Sequence, residues 1–389
     1  MSLDECYQSF LRSNKYSRVL KTCDPISAVD VRFKDRELIN FSSSDYLGLS
    51  HHPLLIERAH DYATKWGMGA GASRLVTGNL SLYDSLEKKI ADLMNKPAAL
   101  IVGSGYQTNS AVLEALLNPA ILGEKAQIFC DRFCHASLLS ISSLIADIKP
   151  FRHNDCDHLD ALLKKYNKND GPKMIMVESI YSMDGDKAPL KKIVALAKRY
   201  QAFLYVDDAH AVGVYGNQGS GLAAEYGGDI DVIMGTFSKA LGSFGGYVAC
   251  SSRVRDYLIN ACKGLIYATA LSPSVLGAME AALEVLPSMT DARERLMQHM
   301  MRVRQSLDQY GITCGESSTP IIPWIIGDAE KALKASQQLE DKGILAVCIR
   351  PPSVKVGKSR IRFCLSAAHS DEDITRLLEA VIYAKEKIA

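Results

Sequence analysis

Four groups of residues have the types and spacing to do chemistry together. The stretch GTFSKALGSFGG (Gly235–Gly246) sets one lysine, Lys239, among glycines and serines. Small neighbours let a flat ligand approach closely, and glycine accepts backbone angles that other residues avoid. VDDAH (Val206–His210) closes an apolar run with two aspartates and a histidine. Successive strand residues point to opposite faces, so only one of Asp207 and Asp208 can face a ligand on a given side. GSGYQTN (Gly103–Asn109) joins a strand-like run to a helix-like one, and free amides at a helix start suit a phosphate. His135 follows IFCDRFC and adds an aromatic, titratable ring at the end of another run.

Taken in chain order, a phosphate loop, a stacking ring, an aspartate and a lysine describe a site for pyridoxal 5'-phosphate (PLP). A lysine can form a Schiff base with the cofactor's aldehyde. An aspartate keeps the pyridine nitrogen protonated, so the ring can accept a carbanion's electrons.

Positioning these groups needs an α/β framework. AALIV (98–102), IFC (128–130), MIMVES (174–179), AFLYVDD (202–208) and DVIMGTF (231–237) are continuous apolar runs. Helical patterns lie between them, among them Ser81–Met94 and PLKKIVALAKRYQ. Such alternation predicts a mainly parallel sheet with helices on both faces, and ligands bind at the carboxyl ends of its strands. GGYVACS (245–251) reads as a further strand, antiparallel to the rest. Beyond Leu286 the pattern changes to a polar helix (Asp291–Tyr310), PIIPWIIG, a second helix, CIRPP, SRIRFCLSAAH and a last helix opened by a capping-box-like Ser370-Asp371-Glu372-Asp373. The expected organisation is an arm (1–50) packing with the small domain, a cofactor-binding large domain (51–286) and a small α+β domain (287–389).

The 389 residues carry 45 basic and 44 acidic side chains, which gives no footprint for nucleic acid or an anionic membrane. Neither a signal peptide nor a spanning segment is apparent, so the chain reads as cytosolic. Ten cysteines stand without a CxxC pair. Cys130, Cys134 and His135 have no second ligand pair to complete a zinc site, and no metal is expected. Gly357-Lys358-Ser359 echoes the end of a P-loop, but Pro352 occupies the position where that motif needs glycine.

With these motifs in place, nearly the whole chain resembles the α-oxoamine synthases, PLP enzymes of fold type I. The resemblance rests on NFSSSDYLGLSHHP (40–53), GMGAGASRLVTGN (67–79), HASLL (135–139), SMDGDKAPL (182–190), VDDAHAVGVYG (206–216), TFSKALGSFGG and IRPPSVKVGKSRIRFCLSAAH (349–369). The last block favours the biotin branch. The resemblance implies that Lys239 carries PLP and moves the substrate's α-proton, and that Asp207 bonds the pyridine nitrogen. It implies that His135 stacks on the ring, and that Ser182 and His210 contact its phenolic oxygen or hold it in place. Gly105, Tyr106 and Thr236 would meet the phosphate, Arg362 the amino-acid carboxylate, and Arg18 and Ser353 the substrate. The implied reaction joins L-alanine to pimeloyl-CoA or a pimeloyl-acyl carrier protein with loss of carbon dioxide. The implied assembly is a homodimer in which YATALSPS (267–274) reaches the neighbour's phosphate. Another amino acid and acyl-CoA, such as glycine with acetyl-CoA, is the nearest alternative, and a PLP aminotransferase is a more distant one. Ser44, Ser353 and Tyr106 depart from the family's usual asparagine, threonine and phenylalanine.

Overall fold

A computed structural model describes residues 2–13, 18–140, 142–167 and 171–388. Numbering strands along the chain, β1 (Asp24–Pro25), β2 (Asp30–Phe33) and β3 (Arg36–Asn40) come first. The large sheet follows: β4 (Ala98–Val102), β5 (Gln127–Asp131), β6 (Asp147–Phe151), β7 (Lys173–Glu178), β8 (Phe203–Asp207), β9 (Val232–Thr236) and β10 (Gly246–Cys250). The last strands are β11 (Ile321–Gly327), β12 (Ile344–Leu345), β13 (Cys348–Ile349) and β14 (Ser359–Cys364).

The large sheet runs β4-β10-β9-β8-β7-β5-β6. β10 is antiparallel to both its neighbours, as its sequence suggested, and the other pairs are parallel. Every residue of β5, β9 and β10 is buried, which is why these strands read as unbroken apolar runs rather than alternating ones. Helices flank the sheet. Leu82–Leu93 buries Leu86 and Ile90, and Leu190–Tyr200 buries Ile193, Val194 and Ala197, each on one stripe. The sheet has one strand that the sequence reading left out, β6. It lies at the edge, carries Pro150 and is mostly part-exposed. Proline is tolerated only at such an edge, and half-exposure removes the apolar run that marks the central strands.

A second sheet, β11-β14-β13, is formed by PIIPWIIG, SRIRFC and Cys348–Ile349. The polar helix spans Thr290–Gln309, and the last helix, Asp371–Ile388, opens on a reciprocal cap. There Ser370 N donates to Asp373 Oδ2 (2.8 Å) and Asp373 N donates to Ser370 Oγ (3.1 Å). The N-terminal strands join this end of the chain: β3 pairs in parallel with β12, Ile39 opposite Ile344. The helix Leu3–Ser13 that precedes them buries no residue. Among the described residues no helix is long and apolar enough to cross a membrane.

Candidate active site

The carboxyl ends of β5, β7, β8 and β9, with the helix after β4 and one residue of β14, enclose a cavity of about 530 Å³. Nine of the residues singled out from sequence line it: Gly105, Tyr106, His135, Ser182, Asp207, His210, Thr236, Lys239 and Arg362. Arg18 and Ser353 do not. They meet each other instead, Arg18 Nη2 donating to Ser353 Oγ at 2.9 Å on the exposed side of the molecule.

Lys239 stands in the nine-residue connection between antiparallel β9 and β10. Its glycines have a steric reason. Gly242 has φ +61°, and a Cβ there would lie 2.3 Å from the Leu49 carbonyl carbon. The connection is thereby pressed against the Leu49–Ser50 backbone, where only glycine fits. Burial lowers the Lys239 pKa, while Asp207 and Glu178 oppose the shift.

The two aspartates of VDDAH part as alternation requires. Asp207 lines the cavity, and Asp208 turns away to accept from Ala223 N at 3.3 Å. Burial pushes the Asp208 carboxyl up to about 7. Asp207 Oδ1 accepts from Ala209 N (3.0 Å) and Oδ2 from Asn109 Nδ2 (2.8 Å). Asn109 is one of the residues the sequence reading passed over. Its amide also donates to Ser137 Oγ (2.9 Å), while its carbonyl accepts from Tyr205 (2.8 Å). Ser137 Oγ lies 2.7 Å from His135 Nδ1, which also accepts from Ser137 N at 3.2 Å. With Nδ1 accepting, the ring hydrogen sits on Nε2. Burial, helped by the Lys239 charge, lowers the His135 pKa and favours this neutral ring.

Glu178 was also passed over. It ends β7 directly opposite Asp207 on β8 and accepts from His135 N at 2.6 Å. Burial, with the charge of Asp207, raises its pKa well above the carboxylate range, which favours the protonated acid. His210 is held from the N-terminal segment, its Nδ1 lying 2.7 Å from the buried Tyr46 hydroxyl. Burial and the nearby Lys239 and Arg362 push its pKa far down, so it is neutral. Arg362 Nη2 donates to Cys364 Sγ (3.1 Å) and Ser44 Oγ (3.3 Å). No carboxylate among the described residues forms an ion pair with it, although its guanidinium borders the cavity.

Ser104 caps the helix Gly105–Leu116 by accepting from Gln107 N at 3.2 Å. The amides of Gly105 and Tyr106 have no partner among the described residues, as expected of a helix's first turn. A Cβ on Gly105 would press on Met234 and Thr236 at 3.3 Å. Thr236 Oγ1 donates to Gly245 O (2.7 Å) and accepts from Ser238 N, so it would have to release Gly245 to donate to a ligand.

The fold and this cavity define a PLP-dependent transferase. A family model, aminotransferase class I and II, matches residues 36–381, and the chain belongs to that family, whose cofactor is PLP. The residues present fit the group: free helix-terminal amides, an oriented carboxylate, a neutral ring and a lysine converge on one cavity. Within the family the chain is similar to proteins named 8-amino-7-oxononanoate synthase. One from Gluconacetobacter diazotrophicus is 47% identical over 368 residues, covering 94% of this chain and 92% of that protein. One from Paramagnetospirillum magneticum, provisionally given the same name, is 50% identical over 372 residues, covering 95% and 94%. Among solved structures, the serine palmitoyltransferase of Sphingomonas wittichii superposes with a TM-score of 0.91 at 27% identity, covering 99% of this chain and 97% of that one. The 8-amino-7-oxononanoate synthase of Francisella tularensis gives 0.76 at 25% identity, covering 90% and 98%.

Proposed function

We propose that this enzyme condenses L-alanine with a pimeloyl thioester, carried by CoA or an acyl carrier protein. The products would be 8-amino-7-oxononanoate, carbon dioxide and the free thiol carrier, a step of biotin synthesis. The observation that carries the reading is Arg362: a charged guanidinium at the cavity wall, without an acidic partner among the described residues, in the same cavity as a lysine whose burial favours the neutral base. A guanidinium fork matches a carboxylate bidentately. The choice of alanine and a pimeloyl chain rests on the relatives' names. The serine palmitoyltransferase likeness is higher in fold, but those relatives share about twice its sequence identity.

Bound PLP supplies an electron sink for the carbanion that deprotonation leaves at the amino acid's Cα. Lys239 Nζ would hold the cofactor and, freed by the substrate amine, would be the base that takes the Cα proton. Asp207, fixed by Asn109 and Ala209, would keep the ring nitrogen protonated. The Gly105 and Tyr106 amides receive the phosphate. Arg362 fixes the substrate carboxylate until it leaves as carbon dioxide. His135 would pack against the cofactor, with its Nε2 hydrogen available to the thioester carbonyl. Ser182 and His210 hold the phenolic side. Arg18 and Ser353, exposed and outside the cavity lining, would contact only a part of the acyl substrate that extends beyond the cavity.

The working molecule is a homodimer. Ala72 O accepts from Ala270 N at 3.0 Å, and Ser73 bridges Thr269, so the GMGAGASR and YATALSPS segments lie side by side. Around them Met68, Val76 and Tyr267 are 74%, 74% and 80% exposed. Large exposed apolar side chains such as these are what a subunit interface would cover.

The test is reconstitution. The purified chain should take up one PLP per protomer, with a yellow absorption band that L-alanine perturbs. Lys239→Ala should lose the band and the thiol release from pimeloyl-CoA. A wild-type chain that takes up no PLP would refute the reading. PLP uptake without a pimeloyl-dependent step would refute the substrate assignment only.

A further inference from the structure

Beside the cavity the fold buries a histidine that the chemistry above does not use. His153, after edge strand β6, is 16% exposed at its side chain and stands between two carboxylates. Its Nδ1 lies 2.9 Å from Asp131 Oδ1 and its Nε2 2.7 Å from Asp186 Oδ2. Both ring nitrogens face acceptors, an arrangement that only the doubly protonated imidazolium satisfies. Phe133 packs on the ring at 4.4 Å, and Tyr181 meets its edge at 4.4 Å. Asn154 repeats the link: its N donates to Asp131 Oδ2 (2.8 Å), and its Nδ2 to Asp186 Oδ2 (2.6 Å) and Lys187 O (3.1 Å).

The two carboxylates begin and end segments that line the cavity. Asp131 ends β5 and starts the turn to His135: its Oδ1 accepts from Phe133 N at 2.8 Å and its carbonyl from Cys134 N at 3.0 Å. Asp186 closes the turn that carries Ser182: its carbonyl accepts from Tyr181 N at 3.0 Å. From the opposite side, Arg360 Nη1 donates to Asp184 Oδ1 (2.6 Å) and Met183 O (3.0 Å), which fixes the same turn to β14, the strand of Arg362.

We propose that His153 is a positioning residue: its ring ties the segment ending at His135 to the turn carrying Ser182 and so sets the spacing of those two side chains across the cavity. This rests on the cavity being the PLP site. Fixed pair geometry between such groups is what a small displacement destroys, and a misplacement of about 1 Å can cost up to about a hundredfold in rate.

The test compares the PLP-loaded wild type with His153→Gln, which can keep one of the two links. Rates are taken per bound cofactor. We expect kcat to fall about tenfold with KM for L-alanine changed less than about twofold, together with a weaker visible circular-dichroism signal from bound PLP. We also expect faster amide exchange in the 131–139 and 179–187 segments together. An unchanged dichroism signal and kcat per bound cofactor, with only a lower melting temperature, would overturn the proposal and leave His153 a stability residue. Should His153→Gln not fold, Asp186→Asn keeps the ring and Asp131 and should shift kcat and the dichroism in the same direction; no shift would overturn the proposal equally. Wild type that takes up no PLP would remove the site reading itself, a result separate from failure of the clamp.

Discussion

At the residue scale, charge placement decides what the cavity can hold. Arg362 bonds a thiol and hydroxyls and has no carboxylate partner among the described residues, so its charge is available to a ligand. Charge-assisted hydrogen bonds contribute roughly 1.5–3 kcal/mol. Arg362→Gln should therefore raise KM for L-alanine roughly 10- to 100-fold, measured by steady-state kinetics at saturating thioester, with PLP uptake retained. An unchanged KM would remove the carboxylate from Arg362.

His153 gives a pH signature. Burial disfavours its charge, but hydrogen bonds to Asp131 and Asp186 outweigh burial and push its pKa from 6.5 to about 9. The titratable groups facing it are those two carboxylates and Tyr181. A folded pKa raised above the unfolded one contributes stability that is complete below 6.5 and is lost as pH rises through about 9. The gap in melting temperature between wild type and His153→Gln should thus be widest near pH 6 and close by about pH 9.5. A gap constant across that range would contradict a charged ring.

Among single residues, legibility followed sequence distance. Lys239, Asp207 and His135 stand at the ends of apolar runs, and that position announces them. Asn109 and Tyr46 gave no such sign, because their meaning lies in partners 98 and 164 residues away, Asp207 and His210. Glu178 could have been found: a carboxylate that ends a buried strand beside VDDAH has few places to go but the cavity.

At the element scale, the connection from β9 to β10 holds the lysine and is itself held by close backbone packing. Gly242→Ala would put a Cβ where φ is +61° and the Leu49 carbonyl carbon is 2.3 Å away. We expect a loss of about 1–3 kcal/mol in denaturant unfolding and a weakened grip on PLP, because Lys239 sits three residues before. A variant as stable as wild type would show that the connection has slack. The same scale explains what the sequence hid. Central strands declare themselves because both faces are buried. Edge strand β6, with Pro150 and part-exposed residues, does not. The pairing of β3 with β12 joins segments about 300 residues apart, and short local patterns carry no trace of such a partner.

At the scale of the whole molecule, the proposed homodimer would tie activity to assembly through the exposed apolar side chains around the GMGAGASR and YATALSPS segments. Introducing charge at two of these side chains, Val76→Asp with Tyr267→Asp, should give a monomer by light scattering, since charges resist burial at an interface core. PLP retention on dialysis should fall with it, because the proposed dimer is what would bring YATALSPS to the neighbouring phosphate. A variant that stays dimeric would place the interface elsewhere.

Decarboxylative condensation at this cavity is tested most directly by one measurement. The PLP-loaded enzyme is given L-alanine labelled with carbon-13 in its carboxyl group and pimeloyl-CoA, and both gas and product are read by mass spectrometry. Labelled carbon dioxide should be released in step with free CoA, and the 8-amino-7-oxononanoate should be unlabelled. Label retained in an amino-acid product, or a labelled keto acid formed without CoA release, would contradict it.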